Sequence, residues 1–373
     1  MEKNPGGTNG DVTVFNMMNL TPDSPPHGWD AVHAQWNNGA NDGFVTEYGG
    51  AAEVMGYYVR NQVPIHHALA DAHVVCNHWY ASVLGPTWPN RFYLHGCTSK
   101  GQKSNQPVTG FNSLWGPLKD AGLSVKNYHH GVAWAMGGYF KFDDLASFDA
   151  FKSDAAAGTL PNFCIIDPQF FGTGANDDHP SNGDIPLAQL LISDVYSTLA
   201  ASPQWSSCLL LVIYDEHGGF YDHVAPPTTM DDYAEFAQMG IRIPGLIAGP
   251  YVRQGCAVNT VFDHASVAAT LSTRWGIQPL NARHAAANDL STCIDHAFVT
   301  NQSPQPPVTL PTLSVSMSDL NKRGVDHVQH PELIESLRQQ GVWRQLSRKL
   351  DPGATLKRHL DDCARRGLVK LRP

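Results

Sequence analysis

Residues 208–223 read CLLLVIYDEHGGFYDH, an apolar run followed directly by acids and histidines. Seven apolar or aromatic residues in succession, 208–214, predict a strand buried on both faces, because helices cover both sides of a parallel sheet. Polar residues that follow such a strand lie beyond the carboxyl edge of the sheet, where open α/β folds bind ligands. Gly218 and Gly219 allow a sharp turn and a close backbone approach. The stretch therefore predicts a central strand that ends in a functional site, with a polar surface loop as the alternative interpretation.

Short apolar runs recur along the rest of the chain, separated by polar or helical stretches. The remaining strand-like runs are residues 12–18, 72–76, 123–128, 162–166 and 243–248. Helical apolar spacing is found in residues 187–199 and 265–275. Alternation of this kind predicts an α/β layer structure with a mostly parallel sheet.

The organisation of the chain changes near residue 301. A proline-rich stretch, NQSPQPP, covers residues 301–307, and the sequence after residue 326 is charged and helical. We expect a catalytic domain over residues 1–300, a linker over 301–325 and a helical C-terminal extension over 326–373.

Composition excludes several classes of protein. Hydrophobic residues make up 42% of the 373 residues and charged residues 16%, so a large core can form. Lys and Arg total 25 against 34 Asp and Glu, a net charge of −9, which disfavours nucleic acid as a partner. No apolar stretch is long enough to cross a membrane, and the first residues lack the apolar segment of a signal peptide. Composition leaves the oligomeric state open.

The seven cysteines give no evidence of a metal site. They are widely spread, odd in number and include no CxxC pair, so zinc-ribbon spacing is absent. One or two disulfides remain compatible with the sequence, but they do not define the fold.

Four further segments concentrate polar groups beside glycine, proline and aromatic residues. They are PPHGW (25–29), GPTWPNR (85–91), YHH (128–130) and NDDHP (176–180). Any single histidine is more often structural than functional, but clusters in several segments favour a common site.

Thr87 lies between two prolines that stiffen its loop, as a positioned nucleophile requires. A threonine hydroxyl needs activation by a base or a metal, and Asp215 with Glu216 offers hard oxygen ligands for a divalent ion. Asn90 is placed to donate an amide N–H to a developing oxyanion. The alternative is a rigid turn with Arg91 in a structural ion pair. The sequence contains no GxSxG, HExxH, GxxxxGK[ST] or strand-linked GxGxxG motif.

The chain resembles the bacterial phosphoesterase family, which includes phospholipases C and a class of acid phosphatases. The segments that carry the resemblance are GPTWPNR (85–91), NDDHP (176–180), YDEHGGFYDH (214–223), GIRIP (240–244) and FDHASV (262–267). The resemblance covers roughly residues 10–280 and implies an alkaline-phosphatase-like three-layer sandwich. It implies that Thr87 is the nucleophile, that Asn90 contacts a phosphoryl oxygen, and that His27 and His179 are active-site histidines. Two further assignments follow from it: Asp215 and Glu216 as ligands of a divalent metal ion of unknown identity, and, through a looser alignment, His129 and His130 as a further histidine pair.

One departure from the family bears on activity. The family opens with a strand and a Glu-Asn-Arg-Ser-Phe-Asp-His-type motif whose Glu and Asn complete the metal site, and this sequence begins after it. We therefore expect weak metal binding, impaired activity and the absence of a first strand.

Three functions remain open at this stage. The first is metal-assisted hydrolysis of a phosphate ester or phospholipid through a phosphothreonine intermediate. The second is a catalytically impaired binding or scaffold protein, and the third is a sulfatase-like or phosphonate-cleaving hydrolase. The head group of the substrate and its diester or monoester character are not encoded in any motif.

Overall fold

The computed structural model describes residues 2–172, 174–180, 185–321 and 330–373. The expected boundary between linker and C-terminal extension, at residues 325 and 326, lies outside the described residues.

Strands and helices alternate along the described chain. The strands are β1 (Lys3–Gly7), β2 (Gly10–Thr13), β3 (Phe15–Asn16), β4 (Gly56–Tyr57), β5 (Val74–Cys76), β6 (Val125–His129), β7 (Leu145–Ser147), β8 (Phe163–Asp167), β9 (Leu210–Ile213), β10 (Gly245–Ala248), β11 (Cys256–Val258), β12 (Leu313–Ser316) and β13 (Val369–Arg372). The helices are α1 (Trp29–Trp36), α2 (Phe44–Glu47), α3 (Pro64–Ala72), α4 (Thr87–Gly96), α5 (Trp115–Asp120), α6 (Trp134–Tyr139), α7 (Phe148–Ala157), α8 (Ile185–Ala200), α9 (Ala265–Trp275), α10 (Ala282–Ala286), α11 (His296–Thr300), α12 (Met317–Asn321), α13 (Pro331–Gln339), α14 (Trp343–Ser347) and α15 (Pro352–Arg365).

The helices predicted from apolar spacing are present. The predicted segment 265–275 coincides with α9, which ends at Gly276 in the left-handed conformation, φ 71°. The predicted segment 187–199 lies within α8. The apolar spacing predicts both helices correctly because the apolar face of each one packs on the core.

Two sheets form the centre of the molecule. One has three parallel strands in the order β7-β6-β8, and the other has four strands in the order β11-β5-β10-β9. In the second sheet β11 and β5 are parallel, whereas β10 runs antiparallel to both β5 and β9. Smaller pairs join β1 to β2, β3 to β4 and β12 to β13. The predicted α/β class is thus confirmed by parallel strands that alternate with helices.

The expected central position of residues 208–214 is wrong for the described sheet. Strand β9 is at one end of the four-stranded order and pairs only with β10, antiparallel, with Val212 opposite Leu246. The apolar run nevertheless packs on both faces, although the residues of β9 are only partly buried. Leu210 and Val212 pack into one hydrophobic cluster, and Leu211 and Ile213 pack into another on the opposite face. Packing on two faces therefore does not require a strand partner on both edges.

Strand β8 is the corresponding end of the parallel sheet and contributes to the same two clusters. Cys164 and Ile166 pack on the cluster that contains Leu210, and Phe163 packs on the cluster that contains Leu211. The two sheets thus pack on the same hydrophobic clusters through their end strands, β8 and β9.

The C-terminal helices share cores with the rest of the chain. Leu333 and Leu337 of α13 pack with Trp88 and Phe92 of α4. Leu360 of α15 packs in the cluster that contains helix α8. Packing thus joins the expected C-terminal extension to the layer that carries Thr87.

Two expectations about composition can be compared with the structure. All seven cysteines are free thiols. Within the described ranges, no helix is both long enough and apolar enough to span a bilayer.

Candidate functional site

Thr87 is the first residue of helix α4, and the extended conformation of Pro86 sets the entry of the helix. The residue is buried, with 4% of its surface exposed. Among the residues that the structure describes, its hydroxyl has no hydrogen-bond partner. Arg91 follows Thr87 by four positions, so the two side chains lie on one face of the helix. A free hydroxyl and a guanidinium thus share one surface of α4.

Asn90 supports the loop that precedes Thr87. Its Oδ1 accepts the backbone N–H of Val83 at 3.0 Å, and its Nδ2 donates to the carbonyls of Gly85 at 3.0 Å and Pro86 at 3.1 Å. The side chain is fully buried. Both amide hydrogens are therefore bonded to the backbone in this structure, and the expected contact of Asn90 with a phosphoryl oxygen stays a prediction.

Arg91 joins the carboxyl ends of two strands. Its Nη1 lies 3.1 Å from Oδ1 of Asp167, the last residue of β8, and its Nε lies 3.1 Å from Oδ2 of Asp215, just beyond β9. Burial alone would lower the pKa of Arg91, but the two carboxylates raise it, so the guanidinium stays charged. The ion pair weighed for Arg91 in the sequence is thus present, and it brings the Thr87 helix to the strand ends.

Asp167 is held by further hydrogen bonds. Its Oδ2 accepts from Nδ2 of Asn127 at 3.1 Å and from the backbone N–H of Trp134 at 3.0 Å. The sequence offered a signal for this residue that was not used, since Asp167 follows the apolar run of β8 in the same way that Asp215 follows β9.

Glu216 turns its carboxylate back on the glycine turn. Its Oε2 accepts the backbone N–H of Gly218 at 2.7 Å and lies 3.2 Å from Nδ1 of His217. Burial would raise the pKa of Glu216, but the charge of His27 and the hydrogen bonds from His217 and Gly218 bring it to about 2. Glu216 is therefore ionised at neutral pH.

The glycine turn has the close approach that the sequence predicted. Gly218 and Gly219 have φ values of 64° and 82°, which L residues rarely adopt. A Cβ on Gly219 would lie 2.7 Å from the Cβ of Pro25, so only glycine allows this turn to contact the PPHGW loop. The turn thereby brings the acidic pair and His27 into one region.

Asp215 and Glu216 do not by themselves form a complete cation site. Oδ2 of Asp215 is paired with Arg91, and Oε2 of Glu216 is bonded to the glycine turn. Within the described part of the chain, one group brings three metal-binding side chains within 4.8 Å of one another, and it is elsewhere: Asp194, His359 and Cys363. A divalent ion needs more donors than the acidic pair supplies.

The Asp194 group is unfavourable for a cation. The amine of Lys152 lies 2.8 Å from Oδ2 of Asp194, and Arg366 is bonded to Oδ1 of the same carboxylate. Two positive charges already occupy the carboxylate, which makes this cluster an ion-pair lock between α8 and α15.

His27 and His179 meet edge to face, with ring centroids 5.4 Å apart and an interplanar angle of 75°. Nδ1 of His27 donates to the carbonyl of Pro25 at 2.7 Å, and Nδ1 of His179 donates to the carbonyl of Pro180 at 2.8 Å. Each ring therefore keeps Nε2 for a ligand or a proton. Burial and the nearby His330 lower the pKa of His179.

The other histidine pair is placed differently. The ring of His130 packs on Phe148 with centroids 4.0 Å apart and on His359 at 5.0 Å. Burial holds the pKa of His130 well below its usual value, and burial lowers that of His129 as well. His130 shares no ring contact with His27 or His179, but its Nδ1 lies 3.4 Å from Nδ2 of Asn176, in the NDDHP segment that carries His179.

Two residues of quoted motifs reach the site without having been assigned a role. Nε2 of His264, from FDHASV, lies 2.8 Å from the carbonyl oxygen of Asp215. Asp177, from NDDHP, bonds to Nε2 of His330 at 2.7 Å. His330 comes from the C-terminal segment, and no local pattern around it indicated a functional role.

Known proteins resemble this chain in sequence. The chain matches the Phosphoesterase family over residues 8–278. Non-specific phospholipase C6 of Arabidopsis thaliana is 31% identical over 341 residues, covering 79% of this chain and 65% of that protein. Phospholipase C B of Mycobacterium tuberculosis is 29% identical over 343 residues, covering 75% of this chain and 65% of that protein. The chain thus spans less than two thirds of the length of these relatives.

Among solved structures, a protein of the alkaline phosphatase superfamily from Vibrio parahaemolyticus aligns at 16% identity with a TM-score of 0.41, covering 76% of this chain and 72% of that one. The family match extends over most of the chain and includes Thr87, the histidine segments and the acidic pair. This chain is a member of the Phosphoesterase family.

Proposed function

We propose that this chain hydrolyses phosphate esters, as a phospholipase C or an acid phosphatase does, through a covalent phosphothreonine intermediate. The observation that carries the proposal is Thr87, a buried residue whose hydroxyl has no hydrogen-bond partner in the described structure, on one helical face with Arg91. The hydroxyl oxygen is not itself sealed from solvent, so a ligand can reach it. An unpartnered hydroxyl at the first residue of helix α4 is available to a substrate.

In the first step Oγ1 of Thr87 forms a bond to phosphorus and the bond from phosphorus to the leaving-group oxygen breaks. The threonine hydroxyl loses its proton, and the leaving oxygen gains one. In the second step water attacks the same phosphorus, the bond to Oγ1 breaks, and Thr87 regains a proton. In-line displacement of this kind depends mainly on positioning and on charge stabilisation.

The histidines are suited to proton transfer. His27 and His179 each have Nδ1 fixed by a backbone carbonyl, so Nε2 of each ring is the atom that accepts and releases a proton. Arg91 supplies a positive charge on the Thr87 face of α4, and a phosphoryl oxygen would compete with Asp215 for its Nε. We assign no step to a metal ion, because among the described residues no third His, Cys, Asp or Glu side chain joins Asp215 and Glu216 in a metal-binding group.

The proposed substrate class follows from the relatives. Two of them are phospholipases C of a plant and of a mycobacterium, so a phosphodiester such as a phospholipid is the first candidate and a phosphomonoester the second. The head group is not specified by any contact described above.

A binding or scaffold role is the second candidate. Its support is the state of the acidic pair, in which Arg91 occupies Asp215 and a complete cation site is not formed by the described residues. Such a protein would bind a phosphate group without turning it over.

The test uses p-nitrophenyl phosphate and p-nitrophenyl phosphocholine with the wild-type chain, Thr87→Ala and Thr87→Ser. Thr87→Ala should lose at least about a thousandfold in kcat, whereas Thr87→Ser should retain much of the activity because the oxygen is kept. Thr109→Ala changes an exposed threonine and serves as the control. An acid quench of the wild type should trap phosphate on Thr87, detected by mass spectrometry.

Two outcomes would reject the enzyme proposal or its nucleophile. A wild type that binds phosphate but hydrolyses neither ester would favour the scaffold role. An active Thr87→Ala variant would remove Thr87 as the nucleophile. Elemental analysis of the same preparation shows whether activity follows metal content.

A further inference from the structure

His330 lies outside the region that matches the family, yet it reaches the proposed active site. It precedes helix α13 and has a left-handed backbone, φ 47°, followed by Pro331 at the first turn of the helix. Its ring meets the ring of His179 edge to face, with centroids 5.0 Å apart and an interplanar angle of 74°. His27, His179 and His330 thus form a row of three imidazoles.

Asp177 fixes the orientation of His330. Oδ2 of Asp177 accepts from Nε2 of His330 at 2.7 Å, and the side chain of Asp177 is 3% exposed. Burial would raise the pKa of Asp177, but the bond to His330 and the charges of His330 and His179 lower it. A buried carboxylate therefore lies beside His179, with the N–H of His330 as its side-chain hydrogen-bond donor.

A second contact ties α13 to the loop of Thr87. Oε1 of Glu332 accepts from Nδ2 of Asn105 at 2.8 Å, and Oδ1 of Asn105 accepts the backbone N–H of Trp88 at 2.8 Å. Trp88 directly follows Thr87. Phe170 adds an apolar link, since its ring lies 5.2 Å from the His330 ring and 5.1 Å from the guanidinium carbon of Arg91. The start of α13 therefore contacts the site on two sides.

We propose that His330 is a positioning residue of the active site, which holds His179 and neutralises Asp177 so that an anionic phosphate group can bind. This inference rests on the proposed function. An unpaired carboxylate beside His179 would repel the phosphate group and compete for the histidine proton. The groups that face His330 are Asp177 and His179, with the Phe170 ring between it and Arg91. The C-terminal segment is then part of the active site and not an appendage.

The experiment separates this role from simple structural support. The probe is inorganic phosphate, with its dissociation constant measured by calorimetry, together with KM and kcat for p-nitrophenyl phosphate. The variants are His330→Ala, His330→Gln, Asp177→Asn and the double variant His330→Ala/Asp177→Asn. His223→Ala, an exposed histidine of the glycine-turn motif, is the control. Thermal unfolding establishes that each variant is folded.

His330→Ala should weaken phosphate binding by about tenfold or more, because it removes the side-chain donor of a buried carboxylate and leaves the longer bond from the backbone N–H of His179. His330→Gln should weaken it less, since the amide retains an N–H for Asp177. The double variant should recover most of the lost affinity, because the uncompensated charge is gone. The effect should be larger in KM than in kcat.

The inference is overturned if His330→Ala binds phosphate as tightly as the wild type, or if removal of the Asp177 charge restores nothing. A wild type that binds phosphate without hydrolysing either ester would reject the proposed function, while phosphate binding by the variants would still decide the role of His330. A wild type that does not bind phosphate would reject both.

Discussion

Nε of Arg91 donates to Oδ2 of Asp215 at 3.1 Å, which places a residue of the Thr87 helix against the acid that follows β9. The same guanidinium reaches Asp167 at the end of β8. One side chain thus joins the helix of the proposed nucleophile to the ends of two strands in different sheets. The position of Thr87 relative to the acidic pair depends on this bridge.

Arg91→Met should lower the free energy of unfolding by about 3 kcal/mol or more, because it leaves Asp167 and Asp215 without their cation. Asp167 is nearly inaccessible, with 2% of its side chain exposed, so water cannot replace the guanidinium there. Urea unfolding measures the change. The control is Arg60→Met, which breaks an ion pair with Asp71 whose side chains are 62% and 59% exposed, so it should change stability far less than Arg91→Met.

If Arg91→Met leaves stability unchanged, the bridge is not a structural element. Titration of the variant with magnesium adds a second readout, because a freed Asp215 carboxylate should accept a cation and part of the stability should return. Equal responses of variant and wild type to magnesium would contradict that expectation.

Asn90→Ala should destabilise the fold by about 2 kcal/mol or more, because it leaves the N–H of Val83 and the carbonyls of Gly85 and Pro86 unsatisfied in a buried loop. Thermal and urea unfolding give the change, with Asn61→Ala, an exposed position, as the matched control. A stable Asn90→Ala variant with greatly reduced phosphate affinity would instead favour the direct phosphoryl contact that the family resemblance implies.

Acid should destabilise the protein between about pH 6.5 and pH 4. Burial lowers the pKa of His66 to about 4 and that of His95 to about 3, whereas an unfolded histidine has a pKa of about 6.5. The unfolded state therefore takes up protons first as the pH falls, and the free energy of unfolding decreases by up to about 1.4 kcal/mol per pH unit for each such group. The contribution is fully present above the unfolded pKa.

The measurement is urea unfolding at pH 7.5, 6 and 5 for the wild type, His66→Gln and the control His223→Gln. His66→Gln should reduce the slope of stability against pH, and the exposed His223 should leave it unchanged. Parallel slopes for all three proteins would show that His66 is not kept neutral in the folded state.

The contacts of Asn90, His130 and Arg91 show what a sequence motif alone does not specify. The GPTWPNR motif indicated a stiff loop around Thr87, but in the structure Thr87 begins helix α4, which also contains Arg91. Asn90 bonds to the backbone of the preceding loop, and Arg91 forms the ion pair that the sequence offered as an alternative. A motif shows which side chains are close in the chain, but the direction of each one depends on which distant groups are available to it.

The sequence by itself determined the α/β class, the span of α9 and the association of acids and histidines with strand ends. These features are local, because apolar periodicity and glycine turns act over a few neighbouring residues. The tertiary structure alone decided that β9 is at a sheet end, that His130 packs in the core, and that His330 contacts His179 across 151 positions of chain. Strand order and contacts of this length depend on the packing free energy of segments far apart in the sequence, and no local pattern encodes it.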